Sequence, residues 1–285
     1  MYTNGFTLNT NMASLLVQRN FNNATNDISV LMEHLSTNMR VNRSSDDPSG
    51  MALSNNLRKQ ISSIAVAKTN SQTGVSMLQT AEGDLNTIKN NLTTMKSLII
   101  QAKTGTVTTA QRAAYNATYQ SAVAEINRIA TSSNYSNIKL LDGTNSTASS
   151  IVLQVDINNS ADNKIDISSS FSRAVATALG ISATSSISTV SFATTAETQV
   201  NTAYDKILLQ IAQVGGFASR LNSNIARLDV KSENLQASDS VIRDADIASD
   251  TAKLTKKQIL QQTSASLLQQ ANQSSSLILT LISRY

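Results

Sequence analysis

The sequence predicts a mostly α protein: a long antiparallel helical bundle or coiled coil formed by the N- and C-terminal regions, with a small β-hairpin in the middle. Three observations predict it. Leu78, Ala81, Leu85, Ile88, Leu92, Met95 and Ile99 recur at alternating spacings of three and four, the pattern of a coiled-coil seam. The 285 residues include one Pro and nine Gly, so little interrupts a helix. Aromatic residues make up 4% and Trp is absent, which favours thin helix-on-helix seams over a bulky globular core.

Taken in chain order, Ile28, Leu31, Leu35 and Met39 form a first helical stripe that ends near Arg40. Ser44-Ser-Asp-Asp-Pro48 then starts a second helix. Asp47 is the expected N-cap, and Pro48 occupies the first helical position, where a missing N–H costs nothing. Extended back through Leu57, Ile61 and Ile64, the heptad run predicts a helix from about Met51 to Ala102. At 1.5 Å per residue that is a rod of roughly 75 Å, which needs partners of comparable length. Tyr119, Val123, Ile126 and Ala130 mark a further helix, and Leu221, Ile225, Leu228, Ser232 and Leu235 another.

The middle of the chain changes period. Ile151–Ile157 and Lys164–Ile167 alternate in period two around Asn158–Asn163, which predicts a β-hairpin, and Asp142-Gly143 before it is a turn signal. Ser182 to Thr198 is dominated by Ser and Thr and reads as a surface connection. Near the C-terminus, Leu260, Thr263, Leu267, Gln270, Ser274, Leu277 and Leu281 keep heptad spacing with polar residues admitted. Buried amides weaken such a seam but fix its register.

Both ends are nearly free of charge. Arg19 is the only charged residue from Met1 to Asn26. Thr251 to Tyr285 carries no acid, and its cations are Lys253, Lys256, Lys257 and Arg284. A solvated helix normally carries a charged face. Helices with apolar and amide faces expect to be covered by other helices, which points to an assembly.

Chemistry-bearing motifs are scarce. The single histidine, His34, excludes a paired-histidine zinc site, and Leu31 and Leu35 make it a helix residue rather than part of a triad. No phosphate-binding glycine loop is present; Gly215-Gly216 is at most a helix flexure. The carboxylates of Arg243-Asp-Ala-Asp246 and Asp250 read as caps and intrahelical pairs on a helical segment, not as a calcium loop. No catalytic residue, cofactor or metal is therefore expected. The net charge of +4 is dispersed with no interleaved aromatics, against a nucleic-acid partner. No stretch reaches the roughly 20 apolar residues of a membrane span. The N-terminus MYTNGFTLNTN lacks the basic and apolar regions of a cleaved secretory signal. With no Cys, disulfide and thiolate chemistry is excluded.

Several stretches together resemble bacterial flagellin. They are Asn9-Thr-Asn11, Leu35–Asn42 running into Ser45-Asp-Asp-Pro-Ser-Gly50, Gln79-Thr-Ala-Glu-Gly83, Arg243-Asp-Ala-Asp246, Leu254–Gln262 and Gln270-Ala-Asn-Gln273. The likeness covers about Leu8 to Gly143 and Gly215 to Leu281. Three residues depart from the family's usual pattern: Asn38 stands where Gly is common, Asp250 where Glu is, and Thr263 where Ala is. Asn is the next most tolerant residue of a left-handed backbone, so the turn at Asn38 is expected to survive.

The resemblance implies an inner terminal coiled-coil domain, residues 1–42 with 245–285, lining a central channel. It implies an outer helical rod, residues 43–244, with a β-hairpin near 151–170. The short stretch from Gly143 to Ala196 leaves room for the hairpin and connections but not for projecting outer domains. Function follows as a structural subunit of the helical filament used for swimming. Its termini would order on assembly, through Leu8, Met12, Leu15, Leu31, Leu35, Leu260, Leu267, Leu277 and Leu281. The implied partners are further copies of the chain or other flagellins, hook-associated and cap proteins, and an export chaperone at the C-terminal helices. The implied location is extracellular.

The family also meets an innate immune receptor on the outer rod. There Leu98 and Glu125 match two contacts, and Thr94 stands where recognised members carry Arg. Ser and Thr at Thr144–Ser150 and Ser182–Thr198 are candidates for O-glycosylation or plain solvated loops. A hook–filament junction protein is the nearest alternative, and a secreted coiled-coil effector or adhesin is one from another class.

Overall fold

The computed structural model describes residues 11–144, 151–182 and 185–282, with side chains to 273. Six helices carry most of them: α1 Met12–Thr37, α2 Pro48–Lys103, α3 Thr109–Ser132, α4 Ala176–Leu179, α5 Val190–Arg243 and α6 Ile247–Ile282. Two small antiparallel ribbons pair β1 Asn134–Tyr135 with β2 Ile138–Lys139, and β3 Val152–Gln154 with β4 Lys164–Asp166. No large inserted domain occurs among the described residues. The predicted mostly α fold with a central hairpin is what the chain adopts.

The chain divides into two compact units. One is Gln60–Asn234, and the other joins Met1–Lys59 to Leu235–Tyr285. In the first unit, all seven heptad residues from Leu78 to Ile99 are completely buried, as are Tyr119, Ile126 and Ala130 of α3. From α5, Ala193, Ala196, Val200, Ala203, Ile207, Val214 and Leu221 complete the same core. Spacing by three and four on each helix gives every one of these side chains a neighbour across a seam.

The β3–β4 hairpin seats in this unit where α2 turns to small residues. Ala67, Ser71 and Gly74 are all buried, and a Cβ on Gly74 would lie 2.2 Å from Leu153 Cδ1. Asn70 donates to the Gln154 carbonyl (3.2 Å), and buried Asn224 of α5 donates to Val155 O (3.0 Å) and Ser71 Oγ (3.2 Å). Hairpin carbonyls that would otherwise be orphaned are thereby satisfied. After it, Asp156 receives Arg227 Nη1 and Lys231 Nζ, each at 2.9 Å. Burial pushes the Asp156 carboxyl up, but bonds from Lys231, the Ile157 N–H and Arg227 outweigh it and hold the group at about 2.

In the second unit the turn between α1 and α2 accounts for the polar motif from Met39 to Gly50. Asn38 closes α1 in the left-handed region, φ 57°, so the turn survives without glycine. Arg40 N then donates to Arg243 O (2.7 Å), and Arg40 Nη2 to Ile242 O (2.7 Å). Glu33 receives Asn42 Nδ2 (2.6 Å) and Arg43 Nε (3.0 Å). Asp46 accepts the N–H groups of Arg43 (2.8 Å) and Asn42 (3.1 Å), and the Arg43 bond chiefly holds its carboxyl below the usual range. Asp47 caps α2 through the N–H groups of Gly50 (2.9 Å) and Ser49 (3.1 Å), and Pro48 begins the helix as expected.

Two sequence readings require correction. Arg243-Asp-Ala-Asp246 is not helical throughout: α5 ends at Arg243, and Asp246 caps α6 by accepting from Ser249 N (3.1 Å). Ser182–Thr198 is not all connection, because α5 starts at Val190; Ala193 and Ala196 face the core, and the hydroxyls of Thr194 and Thr195 bond carbonyls four residues back. The Gly215-Gly216 pair lies inside α5, which runs through it, in keeping with the expectation of at most a flexure there. The short β1–β2 ribbon was not expected, and of the Thr144–Ser150 segment 145–150 lies outside the described residues.

Candidate assembly surface on the terminal helix pair

Helices α1 and α6 run antiparallel side by side. Polar contacts fix the register at points along both: Asn11 Nδ2 to Ala271 O (3.0 Å), Ser14 Oγ to Asn272 Oδ1 (3.1 Å), Gln261 Nε2 to Thr25 Oγ1 (2.9 Å) and Lys257 Nζ to Asp27 Oδ2 (2.6 Å). Towards the turn, His34 Nδ1 lies 3.5 Å from Asp250 Oδ2, and Ala245 N donates to Asn38 O (3.2 Å). Asp250 is held below the usual carboxylate range chiefly by the Lys253 ammonium, whose Nζ is 2.8 Å away.

The facing residues follow a heptad on each helix. On α6 they are Asp250, Leu254, Lys257, Gln261, Ser264, Leu268 and Ala271, each less exposed than its neighbours. On α1 they include Ser14, Val17, Phe21, Ala24, Ile28, Leu31 and Leu35, and among these only Ala24 is fully buried. Two helices alone cover one stripe of each other and leave the rest to water.

What remains outside is apolar. Met12, Leu15, Leu16 and Val30 of α1 and Ile259, Leu260 and Leu267 of α6 are 43 to 67% exposed. Each helix thus leaves apolar side chains outside the seam, and from Thr251 onward α6 carries no acid. Of the residues expected to assemble, Met12, Leu15, Leu260 and Leu267 therefore point away from the pair, while Leu31 and Leu35 are half-buried against it. Leu8 lies outside the described residues. Leu277 and Leu281 lie on the helical backbone of α6, with side chains outside the described set. Sequence reasoning missed Leu16, Val30 and Ile259 outside, and Leu254, Leu268 and Ala271 within the pair. Leu254, Gln261 and Leu268 repeat every seven residues, a signal outweighed in the sequence by the more leucine-rich stripe from Leu260 to Leu281.

Two family descriptions match this chain: Bacterial flagellin N-terminal helical region over residues 8–146, and Bacterial flagellin C-terminal helical region over residues 197–282. The chain belongs to the flagellin family. Among relatives, a flagellin of Halalkalibacterium halodurans is 34% identical over 279 residues, covering 96% of this chain and 99% of that protein. The flagellar filament 33 kDa core protein of Treponema phagedenis is 31% identical with the same coverages, as is a flagellin of Listeria monocytogenes. The crystal structure of Bacillus cereus flagellin aligns at a TM-score of 0.47 and 25% identity, over 56% of this chain and 88% of that one.

In the Gln60–Asn234 unit of this flagellin, the three residues matched to receptor contacts lie on α2 and α3. Thr94 is exposed, and Leu98 is half-buried against the core. Glu125 is engaged by Arg128 through two bonds of 2.7 and 2.6 Å, and the Arg128 guanidinium holds its carboxyl below the usual range.

Proposed function

We propose that this flagellin is a structural subunit of the extracellular bacterial flagellar filament, and that α1 and α6 form its inner, assembly-ordered layer. The observation that carries the reading is the set of outward apolar side chains, Met12, Leu15, Leu16, Val30, Ile259, Leu260 and Leu267, on a pair whose seam fully buries only Ala24 among its described apolar residues. Full burial of a large apolar side chain is worth about 1.5–3 kcal/mol. Partial cover of seven such residues by neighbours offsets the ordering cost of a marginal helix pair. Repeated head-to-tail contacts that do not close give an open helix rather than a ring. The amide-rich remainder suits a wet channel wall.

On this reading residues 1–42 with 245–285 are the inner domain and 43–244 the outer rod. The interface includes Leu8, Met12, Leu15, Leu31, Leu35, Leu260, Leu267, Leu277 and Leu281. Export without a cleaved signal, an export chaperone on the C-terminal helices, and contacts with cap and hook-associated proteins complete the proposal. Relatives named flagellin or filament core protein, aligned over 99% of their own length, favour a filament subunit over a hook–filament junction protein.

The test is seeded polymerisation followed by electron microscopy. Heat-dissociated wild-type chain elongates seeds on cooling. Leu260→Glu/Leu267→Glu and a deletion of Leu277–Tyr285 remain helical by circular dichroism yet fail to elongate. Elongation at the wild-type rate by either variant overturns the assignment of this face.

A further inference from the structure

We infer that the groove between the β3–β4 hairpin and α5 is a binding site for the terminal sugar acid of a glycan, a ring with one carboxylate and several hydroxyls. The groove lies wholly within the Gln60–Asn234 unit and has a volume of about 510 Å³, in the range of small-molecule sites. Asp162 and Lys164 line it from the hairpin, and Ser219, Arg220, Ser223 and Arg227 from successive turns of α5. All six are exposed, so the mouth is open and leaves room for the rest of a sugar chain. Buried Val155, Asp156, Ile165 and Asn224 close the floor.

The polar groups of the floor are satisfied, whereas those of the rim are not. Asp156 is answered twice, by Arg227 and Lys231, and Asn224 Oδ1 accepts from Arg227 Nη2 at 2.7 Å. Arg220 has no such partner: its guanidinium lies 5.5 Å from the centroid of the Phe217 ring and bonds no carboxylate among the described residues. Stacking of this kind positions the planar fork while leaving its N–H groups available. The Lys164 ammonium also bonds nothing among the described residues. Elsewhere on α5, the hydroxyls of Thr194 and Thr202 bond carbonyls four residues back, at 3.0 and 2.9 Å. Those of Ser219 and Ser223, one turn apart on the groove, make no bond of this kind.

These unspent groups select the ligand. The guanidinium fork of Arg220 matches a carboxylate with two parallel bonds, and Lys164 adds a second positive charge. Asp162, which has no cation partner among the described residues, accepts hydroxyl hydrogens but repels a second anion. The two serine hydroxyls both donate and accept, as a polyhydroxy ring requires. A nucleic acid or a run of acidic residues brings too many negative charges past Asp162. An apolar peptide side chain finds nothing to fill, because Val155 and Ile165 are only 2 and 8% exposed. One carboxylate on a hydroxyl-rich ring matches every free group.

The experiment is an NMR titration of the labelled, monomeric full chain with methyl glucuronide, methyl glucoside and acetate at neutral pH and constant ionic strength. Methyl glucuronide should shift the amides of residues 162–165 and 219–227 saturably. The neutral glucoside and the hydroxyl-free acetate should each bind about tenfold more weakly or worse, because each lacks part of the matched set. Arg220→Ala and Lys164→Ala should each weaken glucuronide binding by about tenfold, the loss of one charged hydrogen-bonding partner. Lys68→Ala, whose ammonium pairs with Asp229 at 2.6 Å away from the groove, should leave it unchanged. Asp162→Asn should narrow the preference for glucuronide over acetate. No saturable shift overturns the site, as does wild-type affinity in both Arg220→Ala and Lys164→Ala. Glucoside or acetate binding as tightly as glucuronide overturns the sugar-acid assignment, and loss of binding when a second sugar replaces the methyl group overturns the glycan end. If Arg220→Ala fails to fold, Arg220→Gln and Lys164→Ala decide the matter.

Discussion

Leu153 of the hairpin fills the notch that Gly74 leaves in α2: a Cβ there would sit 2.2 Å from Leu153 Cδ1 and 3.0 Å from Leu221 Cδ1. Glycine inside a helix costs about 1 kcal/mol relative to alanine. That cost is offset here because only glycine lets the hairpin reach the seam. Gly74→Ala therefore gains helix propensity but overpacks the notch, which costs about 1–3 kcal/mol. The expected net loss is about 1 kcal/mol, read as the urea midpoint of the full chain. The sign should reverse in a Leu153→Ala background, where the methyl has room and Gly74→Ala stabilises. A gain in both backgrounds would show that the hairpin does not depend on the notch.

Asp156 predicts an acid-labile hairpin. Its folded value of about 2 lies below the ordinary value of about 3.9 for an aspartate. A group depressed on folding contributes stability above its unfolded value and loses it as pH falls through the folded one. Asp156→Asn is thus expected to cost about 1–2 kcal/mol at pH 6, given its contacts with Arg227 and Lys231. The gap between variant and wild type should narrow between pH 4 and pH 2. Denaturation midpoints at pH 6, 4 and 2.5 check this, and a constant gap contradicts it.

The parts of the fold legible in the sequence were those where large apolar residues repeat. Leu78 to Ile99 is a single stripe with no competitor on its helix, and all of it is buried. The start of α5 was hidden because its seam is built from Ala193, Ala196 and Val200 among Ser and Thr, too small to stand out. On α6 two heptads compete. The richer one, with Leu260 and Leu267, faces outward, while Leu254, Gln261 and Leu268 face α1. Periodicity identifies a stripe to be covered; it does not say whether the cover comes from the same chain.

Asn38 carries a backbone prediction for the terminal unit. At φ 57° it stands in the left-handed region, where a residue with an ordinary side chain costs roughly 1–2 kcal/mol and Asn less. Asn38→Gly should be neutral or slightly stabilising. Asn38→Val should cost about 1–2 kcal/mol and weaken the bond from Ala245 N to Asn38 O. Hydrogen exchange at Ala245 and Arg40 measures this locally, and equal protection in the two variants would rule out a conformational role for Asn38.

Thr94 tests the receptor assignment that the family resemblance proposes. Recognised members carry Arg at the matching position, and an Arg at the centre of an interface is worth about 2 kcal/mol or more. Thr94 is exposed, and its hydroxyl only bonds the Asn90 carbonyl within α2, so the helix tolerates replacement. Glu125 is a second obstacle, because Arg128 occupies both its oxygens and must be displaced before a receptor cation can bind. Monomer binding to the immobilised receptor should therefore be weak for the wild type. Thr94→Arg should strengthen it by about thirtyfold, the equivalent of about 2 kcal/mol. Adding Arg128→Ala should strengthen it further by releasing Glu125. Tight binding by the wild type, or no change with Thr94→Arg, would remove this surface from the receptor's footprint.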